Sequence, residues 1–501
     1  MPRAISLCLL LATSAWAAAF AQSARVPRIW DDAALAEWAT PVAGLNVRSS
    51  HYTAREYYAL PPDNLRTYPV YPPDKEPAGY WEWLQKQKPE PLVDVGKIRD
   101  DADWIAAGER AFHDLGSVLI RTNDPKLVAQ ARDPAVLQGL RTLADGGVVG
   151  PRWVVTSEGV MLTARACAAC HEDMRAENRR RTDKLPAVRP GLPLTGAAGT
   201  IVRLQRSYEG DSVGLALWRE FSVPWAPDER IERMKSMTLP ELQEMNRRGE
   251  LAGAFSGGVF ARTNGSPFYP TRILDLFGLK YNRYMDATAS HRLNGPEDVA
   301  RYAALVTGGD RLDFGPHRML TDAQRRVRFR YADEVLYAIG KYLLSLDPPK
   351  NPSPAPPEVI ARGKQVFARE ECGACHAPPN YTSGKVTLAH GWTPPIDHPN
   401  RTDIMMRSIG TDPGTALKSR KGTGFYRIPA LRGVWSRRLL LHDGSLTSLE
   451  ELFDRGRLSP DYEPKGWNPP GVTRRPVSGH LFGLALTAED KAALVAFLRA
   501  L

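Results

Sequence analysis

Most of the chain lacks a sustained hydrophobic period, so the few windows that have one stand out. From Asp101 onward, apolar residues recur at helical spacing, with Gly108-Glu109-Arg110-Ala111-Phe112 inside the window. Asp333 to Leu346 (DEVLYAIGKYLLSL) carries a second stripe and stops at Asp347-Pro348-Pro349. The Gly-x-x-x-Phe spacing returns at Gly363 and Phe367. Thr487-Ala488-Glu489-Asp490 is a capping-box-like start for a last helix that runs to Leu501. The pattern predicts a mainly α chain of two tandem units. Each opens on a Gly-x-x-x-Phe helix and closes on a second helix, and the small glycine lets the two approach closely.

The stretches without a period set the boundaries. Pro348 to Pro357 reads as a stiff, extended linker between the units. Residues 22–95, with Pro61-Pro62, Pro72-Pro73 and Tyr80-Trp81-Glu82-Trp83, predict an extended arm lying over a larger body. Arg3, an apolar run from Ile5 to Ala19 and Ala19-Phe20-Ala21 read as a cleaved signal peptide over residues 1–21. That run is short for a membrane span, and Cys8 falls too early for a lipobox. No later segment is apolar enough to span a bilayer. The expected division is therefore leader 1–21, arm 22–95, first unit 96–347, linker 348–357 and second unit 358–501.

Composition adds size and charge. With 501 residues, 43% hydrophobic and 24% charged, the chain has room for two or three globular domains. A net charge of +10, with runs such as Arg179-Arg180-Arg181 and Arg437-Arg438, reads as a solvated basic surface or as a docking face for an acidic partner.

The cysteines change the picture most. Cys8 lies in the leader, and the other four fall in Cys167-Ala168-Ala169-Cys170-His171 and Cys372-Gly373-Ala374-Cys375-His376. Cys-x-x-Cys-His is the attachment signature of a c-type haem. Two thiols add across the vinyl groups of one porphyrin, and the adjacent imidazole reaches the iron as proximal ligand. A zinc half-site would want a second pair of thiols nearby, and a thioredoxin-type pair does not require the following histidine. Cys167, Cys170, Cys372 and Cys375 are thus expected to attach two haems, with His171 and His376 on the irons. The first unit is the enlarged one: Cys167 lies 59 residues beyond Gly108, whereas Cys372 lies nine beyond Gly363. C-type haem is attached outside the cytoplasm, which agrees with the leader and predicts a periplasmic or secreted protein. Nucleic acid is not an expected partner.

Residues 358–501 resemble the bacterial di-haem cytochrome c peroxidase superfamily. The residues that carry the resemblance are Ile428-Pro429-Ala430-Leu431-Arg432-Gly433-Val434, then Leu441-His442-Asp443-Gly444-Ser445, then Leu449-Glu450-Glu451. The first unit matches only through its haem motif and its Gly-x-x-x-Phe helix. The resemblance implies two tandem cytochrome c-like domains, with chemistry at the N-terminal haem and electron relay at the C-terminal one. It also implies either a protein redox partner or an oxidant or polymer substrate; calcium between the domains occurs in some relatives, and no acidic cluster announces it here.

Two departures shift the expectation toward the rubber-oxygenase-like branch. Where the peroxidases place a methionine ligand, fourteen residues after the His of His-Asp-Gly, this chain has Gly456, which cannot ligate. Met405 and Met406 precede that motif. His480, in Ser478-Gly479-His480-Leu481-Phe482, is the candidate sixth ligand by its similar placement to a late histidine of the rubber oxygenases, and His442 is the rival. Residues 172–290 contain no histidine, so the switchable ligand of many peroxidases is missing. Met174 is too close to His171 to wrap around the porphyrin, and His291 and His317 remain possible ligands. An open position on the first iron is the expectation, and with it activation of peroxide or dioxygen. The alternative is a non-enzymatic electron carrier with two six-coordinate haems. Trp218 and Trp225 are candidate inter-haem aromatics, and Arg262 is a candidate propionate partner.

Overall fold

A computed structural model describes residues 26–501 apart from 138–141, 175–222, 224, 249–258, 261–265, 267, 319–327 and 470. Early helices form at α1 (Asp32–Trp38) and α2 (Ala54–Ala59), both with side-chain N-caps, from Asp31 and Thr53. The helix that the first period predicts is α3 (Asp101–Asp114). Asp100 caps it by accepting from the Asp103 amide, and Asp101 and Asp103 sit at the positive end of its dipole. Its buried stripe is Trp104, Ala107, Gly108, Ala111 and Phe112. Two more helices pack behind it, α4 (Pro296–Ala304) and α5 (Asp333–Ser345). The second unit opens on α6 (Pro357–Arg369) and closes on α7 (Ala488–Arg499), with Thr487 capping α7.

The two Gly-x-x-x-Phe helices cross their partners in the same way. A Cβ at Gly108 would lie 1.9 Å from the carbonyl oxygen of Ala338 in α5 and 2.7 Å from Cβ of Tyr342. A Cβ at Gly363 would lie 1.9 Å from the carbonyl oxygen of Ala493 in α7 and 2.6 Å from Cβ of Phe497. Backbone meets backbone at both crossings, and only glycine permits it.

The first unit departs from a mainly α plan. Three strands between α3 and the first Cys-x-x-Cys-His motif join one from the N-terminal segment in an antiparallel sheet. Its strands are β1 (Thr67–Pro69), β2 (Gly116–Thr122), β3 (Pro151–Thr156) and β4 (Gly159–Arg165), in the order β1-β3-β4-β2. Five consecutive residues of β3 are buried, so the strand shows no alternation along the sequence. Tyr68, Val70, Tyr80, Leu84, Trp153, Val155 and Leu162 form a core of its own. The buried Arg121–Asp63 pair, two bonds of 2.9 Å, joins β2 to the N-terminal segment.

That segment does not lie over the body as an extended arm. Ile29, Trp30, Leu35, Trp38 and Tyr57 belong to the same core as α3, α4 and α5, and Trp30 stacks on Tyr57 at 4.5 Å. Its apolar residues are aromatic and irregularly spaced, which hides a buried segment from a periodicity test.

The second unit adds a three-stranded sheet, β5 (Val386–Leu388), β6 (Ile404–Ser408) and β7 (Phe425–Arg427), in the order β6-β5-β7. The units meet around Asp403, which accepts from Arg283 Nε at 2.8 Å and Tyr284 Oη at 2.7 Å. Arg427 donates back to the Tyr284 and Met285 carbonyls at 2.8 Å each. Among the described residues no helix is long and apolar enough to cross a membrane. The leader lies outside them.

Candidate haem-attachment sites

In the second unit, α6 ends at Arg369 and the chain turns sharply at Glu371, whose φ is +54°. A single 3-10 turn then carries Cys372 to Ala374, and the His376 amide closes back on the Cys372 carbonyl at 2.9 Å. His376 Nδ1 stands 3.2 Å from the Tyr381 carbonyl. A carbonyl can only accept, so Nδ1 carries the proton and Nε2 carries the lone pair. Burial holds the His376 pKa down to about 4, which keeps the ring neutral. Those are the tautomer and charge state that an iron ligand needs.

His480 lies within electrostatic reach of His376. Its amide donates to the Ile409 carbonyl at 2.8 Å, which hangs the loop from the strand end after β6. Phe453 and Phe482 flank the ring at 6.5 and 5.4 Å. Its Nδ1 is buried with no hydrogen-bond partner among the described residues. Burial and, next, the nearby His376 lower its pKa to about 4. A buried imidazole whose Nδ1 is left without a partner among the described residues, within electrostatic reach of His376, could donate that nitrogen to an iron, and the two thiols with His376 fit a covalently attached haem.

The rival His442 is placed otherwise. Its Nδ1 lies 3.3 Å from Thr411 Oγ1 and its ring packs on Tyr426 at 4.5 Å. Met405 is closer to the attachment point than its place in the chain suggests. Its Sδ lies 3.9 Å from Cys375 Sγ. The parallel pairing of β5 and β6 brings it there, and no spacing rule along the sequence shows that.

In the first unit, β4 delivers the chain to Cys167, and a π-helical turn spans Ala169–Met174. Ala168 is fully buried and Cys167 packs against the main core. Burial pushes the Cys167 thiol up to about 12. His171 Nδ1 faces the Leu274 carbonyl at 3.3 Å, and its ring lies 6.4 Å from Phe112, the phenylalanine of the Gly-x-x-x-Phe helix. Both motif histidines thus meet a main-chain carbonyl through Nδ1. The first attachment turn fits the same group as the second.

His291 is buried against Trp38 at 4.2 Å, with Ser290 Oγ 2.8 Å from its Nδ1. His317 lies on a short strand beside Trp225, at 5.4 Å. Trp225 also packs on Phe314 and takes part in a small core with Val42. Trp218, Arg262, the Arg179–Arg181 run and the Met174 side chain lie outside the described residues.

No protein-family model and no curated protein matches the chain. Among solved structures, the chain is similar to a Kuenenia stuttgartiensis hydrazine synthase at 14% identity. That match covers 64% of this chain and 96% of the other, with a TM-score of 0.30. It is also similar to a MauG-like protein associated with microbial copper homeostasis, at 16% identity, 63% and 94% coverage and a TM-score of 0.29. Likeness at this level carries no functional argument.

Proposed function

We propose that the protein is an exported di-haem c-type cytochrome of the di-haem cytochrome c peroxidase superfamily, nearer its rubber-oxygenase-like branch than the typical peroxidases. In this proposal Cys167 and Cys170 hold one haem with His171 as proximal ligand. Cys372 and Cys375 would hold the other, with His376 and His480 as the residues that would ligate its iron. The first haem, when bound, supplies an iron at which peroxide or dioxygen can react, and the second relays electrons. The observation that carries this proposal is the pairing at the second motif. His376 is held by a carbonyl through Nδ1, and His480, whose buried Nδ1 has no partner among the described residues, lies within electrostatic reach of it.

The chain's own contribution is orientation. The Leu274 and Tyr381 carbonyls accept from the Nδ1–H of His171 and His376, which fixes both rings and raises their basicity. Phe453 and Phe482 exclude water from the His480 side. The substrate of the first haem is an oxidant, with a redox partner protein or a polymer as the second reactant.

Electron paramagnetic resonance of the oxidised protein tests this, with carbon monoxide titration of the reduced form. One low-spin and one high-spin haem, with CO bound at one site, is the expected result. Two purely low-spin haems and no CO response would leave a non-enzymatic electron carrier. His480→Ala is expected to remove the low-spin signal of the second haem.

A further inference from the structure

Arg457 follows directly on Gly456, the position where the related peroxidases carry a ligand. Its residue is completely buried. Its four hydrogen bonds all end on main-chain carbonyls. Nε donates to Leu452 at 3.0 Å, Nη1 to Val477, and Nη2 to Gly479 at 2.7 Å and His480 at 2.9 Å. The bond is returned, because the Val477 amide donates to the Arg457 carbonyl at 2.7 Å. One guanidinium therefore ties the turn after Leu449–Leu452 to three carbonyls of the loop that carries His480.

That arrangement needs a reason. A buried cation is expensive to desolvate, and an apolar side chain of similar size would fill the same volume more cheaply. The loop supplies the reason. Gly479 and His480 both adopt positive φ, +86° and +49°, so the chain there cannot pair its carbonyls in a helix or a sheet. A Cβ at Gly479 would lie 2.5 Å from the Thr411 backbone, so the loop is also pressed against the segment after β6. Converging buried carbonyls require donors, and the planar fork of arginine satisfies several from one side chain. Lysine offers a single point of donation.

We propose that Arg457 is the positioning residue for the second haem: it latches the loop Val477–His480 so that His480 is held as an axial ligand. This rests on the assignment of His480 given above.

The test uses purified holo-protein with Arg457→Met, Arg457→Lys and His480→Ala, each checked for two covalent haems. The readout is the low-spin signal of the second haem in the ferric state, with and without added imidazole. Arg457→Met is expected to lose most of that signal and to regain it with imidazole, which binds the iron without the loop. Arg457→Lys keeps the cation and the stem, and is expected to fall between Met and wild type; it also serves if the methionine variant fails to fold. A wild-type low-spin signal in both Arg457 variants would overturn the proposal. A loss that imidazole does not reverse would also overturn it, because it would mean a general packing role. If His480→Ala keeps the low-spin signal, the ligand assignment itself fails and the latch falls with it. If His480→Ala loses the signal and the Arg457 variants do not, only the latch fails.

Discussion

At the scale of single residues, legibility followed covalent chemistry. Five contiguous positions define each attachment motif, so Cys167, Cys170, Cys372, Cys375 and the two histidines could be read from spacing alone. Arg457 could not, because three of its four partners lie 20 to 23 positions away in a loop with no period. Met405 was set aside by sequence order, yet its sulfur lies 3.9 Å from Cys375 Sγ. Two candidate ligand side chains therefore lie near the second Cys-x-x-Cys-His motif. His480 has the orphaned nitrogen and the flanking rings, while Met405 already has a sulfur neighbour. Met405→Leu conserves volume and is expected to leave the second haem low-spin, with a stability change below about 1.5 kcal/mol. A new high-spin signal in that variant, with none in His480→Ala, would make Met405 the ligand.

At the scale of elements, the helices were legible and the sheet was not. A helical apolar period betrays α3, α5, α6 and α7, because each buries one stripe of its residues. β3 buries both faces and leaves no such trace. The interval between Gly108 and Cys167 was therefore read as an undefined insertion, although it folds into β2, β3 and β4. The two glycine crossings make a sharper prediction than the helices do. Gly363→Val places atoms where the Ala493 carbonyl already stands, so α6 and α7 must separate. The expected loss is about 3 kcal/mol, as for severe overpacking, read as a lower unfolding midpoint of the holo-protein. Gly108→Val is expected to do the same through Ala338. A substitution at Gly471, where a Cβ meets nothing within 4 Å but φ is +76°, serves as the control for backbone strain alone.

At the scale of the whole molecule, the two units are joined by charge as well as by the linker. Asp286 accepts from the Ser290 amide at 3.0 Å, from Thr288 Oγ1 at 3.1 Å and from Tyr302 Oη at 2.9 Å. Lys421, from the second unit, stands 3.9 Å away and also donates to Tyr302 Oη. The side chains of Asp286 and Lys421 are 17% and 14% exposed, so salt screens the pair weakly. Burial alone would raise the Asp286 pKa. Lys421 and the Ser290 hydrogen bonds outweigh it and hold the carboxyl well below the usual carboxylate range. A group whose native pKa is depressed stabilises the fold fully above its unfolded value, which is about 3.9 for aspartate. That stability is lost as pH falls from there toward the native value. Asp286→Asn keeps the shape and removes the charge, and is expected to lower stability at neutral pH by about 2 kcal/mol. The gap between wild type and variant should then narrow as pH drops below about 4, measured by guanidinium unfolding at each pH. A gap that stays constant down to acid would show that Asp286 acts through shape and not through its charge.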